Sequence, residues 1–454
     1  MKILMTGATG SVGNYVGRKL VQQGHEIVVV SRSAKKAKMH LEFPAEVIEA
    51  DLVQTALSEE HFKNIDTVIH LMGETVDGRW NEKKKSDIFN SRINSSQNLI
   101  KNLPTSVQTV VSASAQGIYG DSGDTELSDL KPHIKSQTVA KDDFLATVCE
   151  QWEAPFRKLN QRTVQLRIGI VLDPQSGALK KMVPLFQKGL GGTLGSGKQY
   201  MSWIAIDDLS DIIVEAVTNS VYTGAINCCS PENVTNDQFT IKLCQALGVF
   251  KSAPVPEFAL KIVIGEMAKV VLASIRMRPD QLIKNKYAFK FTNLENYFKS
   301  FLQEFKDGHS FLSVKQYLAK DINTVFQFFS EAKNLEKTTP NILNFRIDKM
   351  STPEIEKSTI IDYKLKIRGF PANWRTQIVE WSPPHRFIDT QLNGPYKLWH
   401  HTHDFEKMGT GTLMIDKVRY KLPLGFAGNL VAQTFVQKDV ESIFKFRREV
   451  VSDL

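Results

Sequence analysis

Short apolar, β-branched runs alternate with stretches of helical spacing from residue 1 to about 250. The runs fall at residues 2–5, 26–31, 46–49, 67–71, 109–112 and 164–171. Between the first two, Val12, Val16 and Leu20 recur at helical spacing, and Gly24 stops the helix. Continuous apolar strands separated by helices predict an α/β fold with a doubly wound parallel sheet. Residues 173–300 are richer in glycine and proline and read as a substrate lobe with closing helices. Near residue 300 the period changes to strands, at 311–319, 342–350, 359–367, 374–381, 387–392, 398–405 and 412–420. One early helix is capped by Asp321 and carries Val325, Phe326, Phe328 and Phe329 on its apolar face. A long helix from about 425 to 450, with Leu430, Val440, Ile443 and Phe444 near one side, closes the chain. Strand, helix, curved antiparallel sheet and long helix form an α+β helix-grip arrangement. Asp307-Gly308 reads as the turn between a domain at 1–305 and a second at 310–454.

The length of 454 residues fits this division into two or three domains. The net charge of +8 is scattered, and no aromatic-and-basic pattern of a nucleic-acid module accompanies it. Four cysteines, Cys149, Cys228, Cys229 and Cys244, form no CxxC pair and suit a reducing compartment. Met1 leads directly into a strand and a glycine loop, which leaves no room for a signal peptide. The apolar stretch 258–273 is broken by Lys261, Glu266 and Lys269, so it reads as a packed helix and not a membrane span. The expected location is the cytoplasm.

Gly7-Ala8-Thr9-Gly10-Ser11-Val12-Gly13 is a GxxGxxG loop that follows a strand and opens a helix. In that context Gly7 permits the turn, Gly10 lets a pyrophosphate approach, and Gly13 lets helix and strand pack closely. Where NAD-binding folds commonly carry Asp or Glu, the second strand ends in Ser31-Arg32-Ser33, followed by Lys35 and Lys36. A cation without a carboxylate favours the 2′-phosphate, hence NADP(H) over NAD(H). Asp51-Leu52 is placed to contact adenine, and Leu71-Met72-Gly73, then Glu74, to pass under the nicotinamide ribose.

These residues, with Gly78-Arg79-Trp80, Ser112-Ala113-Ser114-Ala115, Tyr119-Gly120, Gly195-Ser196-Gly197, Met201-Ser202-Trp203-Ile204 and Asp207-Asp208-Leu209, resemble the epimerase-like branch of the extended short-chain dehydrogenase/reductases. The resemblance implies a Rossmann domain with NADP(H) and a small polar or sugar-like substrate. It also exposes departures. The superfamily's Tyr-xxx-Lys pair, in which Lys lowers the Tyr pKa, falls on Leu145 and Cys149 when Glu153 sets the frame. Two tyrosines common in the branch are Ile118 and Tyr119 here, and Ala205 stands where His is frequent. The resemblance places Ser112 among the cofactor-binding residues and the substrate-binding Ser114 at the end of the fifth strand. Tyr119 is the nearest remaining phenol, and Arg167 is expected to orient the cofactor or brace the site. Asp207 and Asp208 read as helix N-terminal residues and not as an acid/base pair.

Residues from about 310 resemble the START-like (SRPBCC) helix-grip superfamily, through Trp374-Arg375, Pro383-Pro384, Gly394-Pro395-Tyr396, Trp399-His400-His401-Thr402-His403 and Leu422-Pro423-Leu424-Gly425. The resemblance implies a cavity for an apolar ligand, with Trp374, Trp381, Phe387, Trp399 and Phe405 as candidate lining. His401 and His403 share one strand face, a workable two-ligand spacing, but no third ligand stands nearby in sequence, so no metal is expected. Two functions follow: a hydride-transferring enzyme, or a dinucleotide-binding sensor that has lost the chemistry and couples redox state to a helix-grip ligand.

Overall fold

The computed structural model describes all residues except 132–142, 303–304, 306–308, 424–425 and 453, and describes only the backbone of 426–434. The expected turn at Asp307-Gly308, the motif residues Leu424 and Gly425, and the side chain of Leu430 lie outside the described residues. The chain divides into two compact units, Met1–Ala34 with Ala45–Leu302, and Lys35–Pro44 with Gln303–Leu454.

The first unit is built on seven parallel strands: β1 (Lys2–Thr6), β2 (Glu26–Ser31), β3 (Glu46–Glu49), β4 (Thr67–His70), β5 (Thr109–Ala115), β6 (Arg162–Ile168) and β7 (Gly224–Cys228), in the order β7-β6-β5-β4-β1-β2-β3. Their centres, including Leu4, Val28, Val68, Val110 and Val164, are fully buried, as strands covered on both faces require. The order reverses between β1 and β4, so the crevice for a ligand opens outside the carboxyl ends of these strands. Four helices position the site: α1 (Ser11–Gln22), α2 (Glu82–Ile100), α3 (Phe144–Glu153) and α4 (Ile206–Thr218).

The apolar run 164–171 is not one strand. It breaks at Gly169, and the chain leaves the main sheet to pair Ile170–Asp173 in parallel with Trp203–Ala205. A side chain at 169 could not fit, because a Cβ there would lie 2.5 Å from the Ser202 carbonyl oxygen. Both acidic residues of the Asp207-Asp208 pair fall in the first turn of α4, as expected. Asp208, however, does not cap its own helix. Its carboxylate accepts the backbone N–H groups of Lys290 (2.7 Å) and Phe291 (3.0 Å) and so fastens a segment eighty residues away. Burial raises its pKa, and the two N–H bonds partly offset that.

The second unit is an antiparallel sheet of seven strands: β8 (Ser310–Leu318), β9 (Arg346–Met350), β10 (Ile360–Ile367), β11 (Phe370–Ser382), β12 (Arg386–Asn393), β13 (Leu398–Met408) and β14 (Gly411–Lys421), in the order β8-β14-β13-β12-β11-β10-β9. Asp321 caps α5 (Ile322–Ser330), accepting from the N–H groups of Asn323 and Thr324. A second short helix, α6 (Ala332–Lys337), follows, and α7 (Phe426–Val451) closes the chain. The expected strand at 342–350 starts late, because Pro340 opens a tight turn and Asn344 adopts a left-handed φ of 46°. Phe326 of α5 anchors the apolar core against Phe387, Phe405, Met414 and Val451.

Asp208→Ala removes the acceptor for two backbone donors. Each unsatisfied donor costs about 1–3 kcal/mol, so urea unfolding of the full chain is expected to show the first unit losing roughly 2 kcal/mol or more. A loss below about 0.5 kcal/mol, the size of an ordinary surface substitution, contradicts the role given to this carboxylate.

Candidate functional site

The glycine loop sits against the strand beside it. Gly7 has φ of +69°, and a Cβ there would lie 2.7 Å from the Leu71 carbonyl carbon. A Cβ on Gly13 would lie 2.4 Å from the Gly7 carbonyl oxygen and 2.6 Å from the Ala8 Cα. All these neighbours are backbone, so neither position has space for another residue. The loop is thereby joined to Leu71-Met72-Gly73. Gly10 is the N-cap of α1, and no side chain caps that helix. An uncapped N-terminus with exposed Thr9 and Gly10 before it is suited to an anion such as a pyrophosphate. Val12 is half-buried on the first turn. The Ser11 hydroxyl donates to the buried Asp173 carboxylate at 2.7 Å.

Around this loop the other expected residues take distinct roles. Arg32 is exposed just beyond β2. Asp51 accepts the N–H of Val53 and shapes its own turn. The Leu52 side chain is buried in the core and its carbonyl accepts from Asn98, so little of it is left to meet an adenine ring. Glu74 pairs with Lys84 at 2.7 Å, and its carbonyl accepts from Arg92. Arg92 lies over the Trp152 ring. His70, unremarked in the sequence, is fully buried under the loop between Thr6 (2.8 Å) and Ser96 (3.1 Å). Burial pulls its pKa down to about 3, so it is a neutral brace.

The candidate catalytic residues come together in one buried network. Ser114 donates to Glu153 Oε1 at 2.7 Å. Arg167 grips the same carboxylate with Nε at 2.9 Å and Nη2 at 3.0 Å. Its Nη1 donates to the Tyr119 hydroxyl at 3.0 Å, and that hydroxyl donates to Asn227 Oδ1 at 2.7 Å. Asn227 is held in turn by the carbonyls of Leu127 and Arg278. Burial works against the charge on Arg167, but Glu153 and Tyr119 outweigh it and raise its pKa. Burial also raises the Tyr119 phenol, against the pull of Arg167. Cys149 is buried near this cluster, and burial pushes its thiol up to about 12. Ser112 is also buried, and its hydroxyl has no hydrogen-bond partner among the described residues. Of the helical segment containing the vacated Tyr-xxx-Lys positions, Asp142 lies outside the described residues.

Sequence reasoning missed Glu153 and Asn227 as partners, since they lie 39 residues from Ser114 and 108 residues from Tyr119.

Two family models match the chain. One is the NAD dependent epimerase/dehydratase family, over residues 3–229. A relative from Arabidopsis thaliana, "Epimerase family protein SDR39U1 homolog, chloroplastic", is 36% identical over 319 residues, 67% of this chain and 87% of its own length. The chain belongs to the NAD dependent epimerase/dehydratase family. "Epimerase family protein YfhF" from Bacillus subtilis is 32% identical over 302 residues, 65% of this chain and 96% of its own length. The crystal structure of human epimerase family protein SDR39U1 (isoform2) with NADPH superposes with a TM-score of 0.59 at 28% identity, covering 67% of this chain and 99% of that one. The second model, a domain of unknown function (DUF1731), matches residues 255–301. Neither family match extends beyond residue 301.

In the second unit, Trp374, Phe387 and Trp399 line a cavity of about 380 Å³. Trp381 and Phe405, also expected as lining, instead pack on Phe326 in the core, with ring centroids 5.2 and 5.5 Å away. No helix among the described residues is long and apolar enough to cross a membrane.

Removing one member of the Ser114–Tyr119 network has a consequence that needs no substrate to observe. Glu153→Gln leaves Arg167 buried without its counter-ion, and breaking such a pair costs about 3–5 kcal/mol. Tyr119→Phe strands a donor on Arg167 and an acceptor on Asn227, at about 1–3 kcal/mol. Denaturant unfolding is expected to rank Glu153→Gln below Tyr119→Phe and both below the parent. Parent-like stability in Glu153→Gln refutes the network.

Proposed function

We propose that the chain is an NADP(H)-dependent oxidoreductase or epimerase-like protein acting on a small polar or sugar-like substrate. The observation that carries this reading is the glycine loop, where backbone contacts at Gly7 and Gly13 hold an uncapped helix N-terminus at the sheet's switch point. The N–H groups of α1 would hold the pyrophosphate, Arg32 would meet the 2′-phosphate, and Leu71 to Gly73 would flank the nicotinamide ribose. The human relative solved with NADPH supports the same cofactor. Bound there, the dinucleotide supplies or accepts a hydride. Ser114 and Tyr119 remain the candidates for contact with substrate, Ser114 through the lone pairs of a hydroxyl whose proton is held by Glu153.

A second reading rests on that same network. A phenol with its proton on Asn227 and its oxygen under Arg167, with no lysine at the expected spacing, is poorly placed to move a proton. It favours a dinucleotide-binding sensor. In either case the second unit is read as a START-like helix-grip domain at 310–454, following a dinucleotide domain at 1–305, and its cavity as a site for an apolar ligand. The four described cysteines are unpaired and buried, which supports a cytoplasmic location.

Fluorescence titration of the full chain tests the cofactor. NADPH is expected to bind roughly tenfold more tightly than NADH or better, the scale of one hydrogen bond to a charged group. Arg32→Ala is expected to abolish that preference and leave NADH binding unchanged. Equal affinities in the parent, or a ratio that survives Arg32→Ala, would overturn the assignment.

A further inference from the structure

The histidine pair of β13 has a third partner that the sequence concealed. Strand pairing places Asp389 of β12 opposite His401, and Asp416 of β14 opposite His403. Asp389, His401 and His403 all line the cavity of the second unit. One donor atom from each of the three lies within 4.8 Å of the others. Asp389 Oδ2 is 3.5 Å from His401 Nδ1 and 3.6 Å from His403 Nε2. These gaps are too long for good hydrogen bonds. They are close to the ~3.3 Å that separates neighbouring ligands of a tetrahedral ion with bonds of about 2.0–2.1 Å.

The surroundings orient these donors. His401 Nε2 is hydrogen-bonded to Asp416 Oδ1 at 3.1 Å, which turns Nδ1 toward Asp389. Asp416 is 1% exposed, stands behind both rings, and has Arg447 Nη1 at 3.4 Å as its counter-ion. Phe387 stacks on the His403 ring with centroids 4.1 Å apart. The side chain of His403 is 7% exposed, and its Nδ1 stands 2.8 Å from Asp416 Oδ1. The other ring nitrogen, Nε2, faces Asp389 Oδ2 across a gap too long for a good hydrogen bond, and is the atom a cation held between the two would take. Asp389 Oδ1 accepts a hydrogen bond from the Thr376 hydroxyl at 3.3 Å.

We propose that Asp389, His401 and His403 form a binding site for a divalent transition-metal ion of the zinc class. Two imidazoles and one carboxylate are a ligand set for such an ion, and three protein ligands leave a coordination position for water or a donor atom of a molecule in the cavity. Asp416 is a positioning residue: it fixes the rings from behind, as carboxylates do for metal-bound histidines.

The test uses the full chain, stripped of metal by chelator, and titrated with Zn²⁺ by calorimetry and with Co²⁺ by visible absorption. The expected result is one ion per chain and a Co²⁺ spectrum of four- or five-coordinate intensity. Asp389→Asn and His403→Gln are expected to weaken binding by more than about a hundredfold, and Asp416→Asn by about 10–100-fold. His400→Gln, on the opposite strand face, is expected to bind as the parent does. Circular dichroism establishes that each variant is folded. Should the site variants fail to fold, the stoichiometry and Co²⁺ spectrum of the parent decide. Absence of stoichiometric binding, a weak six-coordinate spectrum, or full binding by folded Asp389→Asn and His403→Gln would overturn the proposal.

Discussion

Backbone packed on backbone at Gly13 is the constraint on which the cofactor site depends. With the Gly7 carbonyl and Ala8 Cα within 2.4–2.6 Å of where a Cβ would stand, α1 begins directly off the end of β1. Gly10, the N-cap, has no side chain to offer, so the first N–H groups of the helix stay uncapped. The same loop abuts Leu71 across the strand-order reversal, so both sides of the crevice at this point are set by one piece of backbone. His70 and Thr6 support it from below as a neutral, hydrogen-bonded pair.

The other side of the crevice obeys a different rule. Glu153 and Arg167 are both nearly inaccessible to water, and a buried ion pair is stable only if its remaining donors and acceptors are met. Ser114, Tyr119 and Asn227 meet them. The price is chemical freedom, since groups that satisfy a buried pair have fewer protons to offer a substrate. An uncapped helix end thus stands beside a saturated interior.

What could be read from the sequence follows the distance over which each feature is determined. The glycine loop, the parallel strands and the Asp321 cap are local patterns, set within one or two turns of chain. The exceptions are instructive. Residues 164–171 look like one strand because apolar character does not reveal a change of sheet, and Gly169 is the single residue that marks it. Asp208 looks like a helix cap because its partners, Lys290 and Phe291, belong to a distant segment. Glu153 served only to align a helix, and its contacts with Ser114 and Arg167 required β5, β6 and α3 to be brought together. Asp389 escaped notice beside His401 and His403 because the register of β12 on β13, and not spacing along one strand, makes them neighbours. The aromatic residues alternate along strands as a lining would, yet α5 converts Trp381 and Phe405 into core.

Amide hydrogen exchange of the full chain with and without NADPH addresses the glycine-loop account most directly. Binding is predicted to slow exchange at the amides of residues 10–13 and beyond the end of β2 around Arg32, with the second unit's sheet unchanged. Saturating NADPH that leaves residues 10–13 exchanging as in the free protein would contradict it.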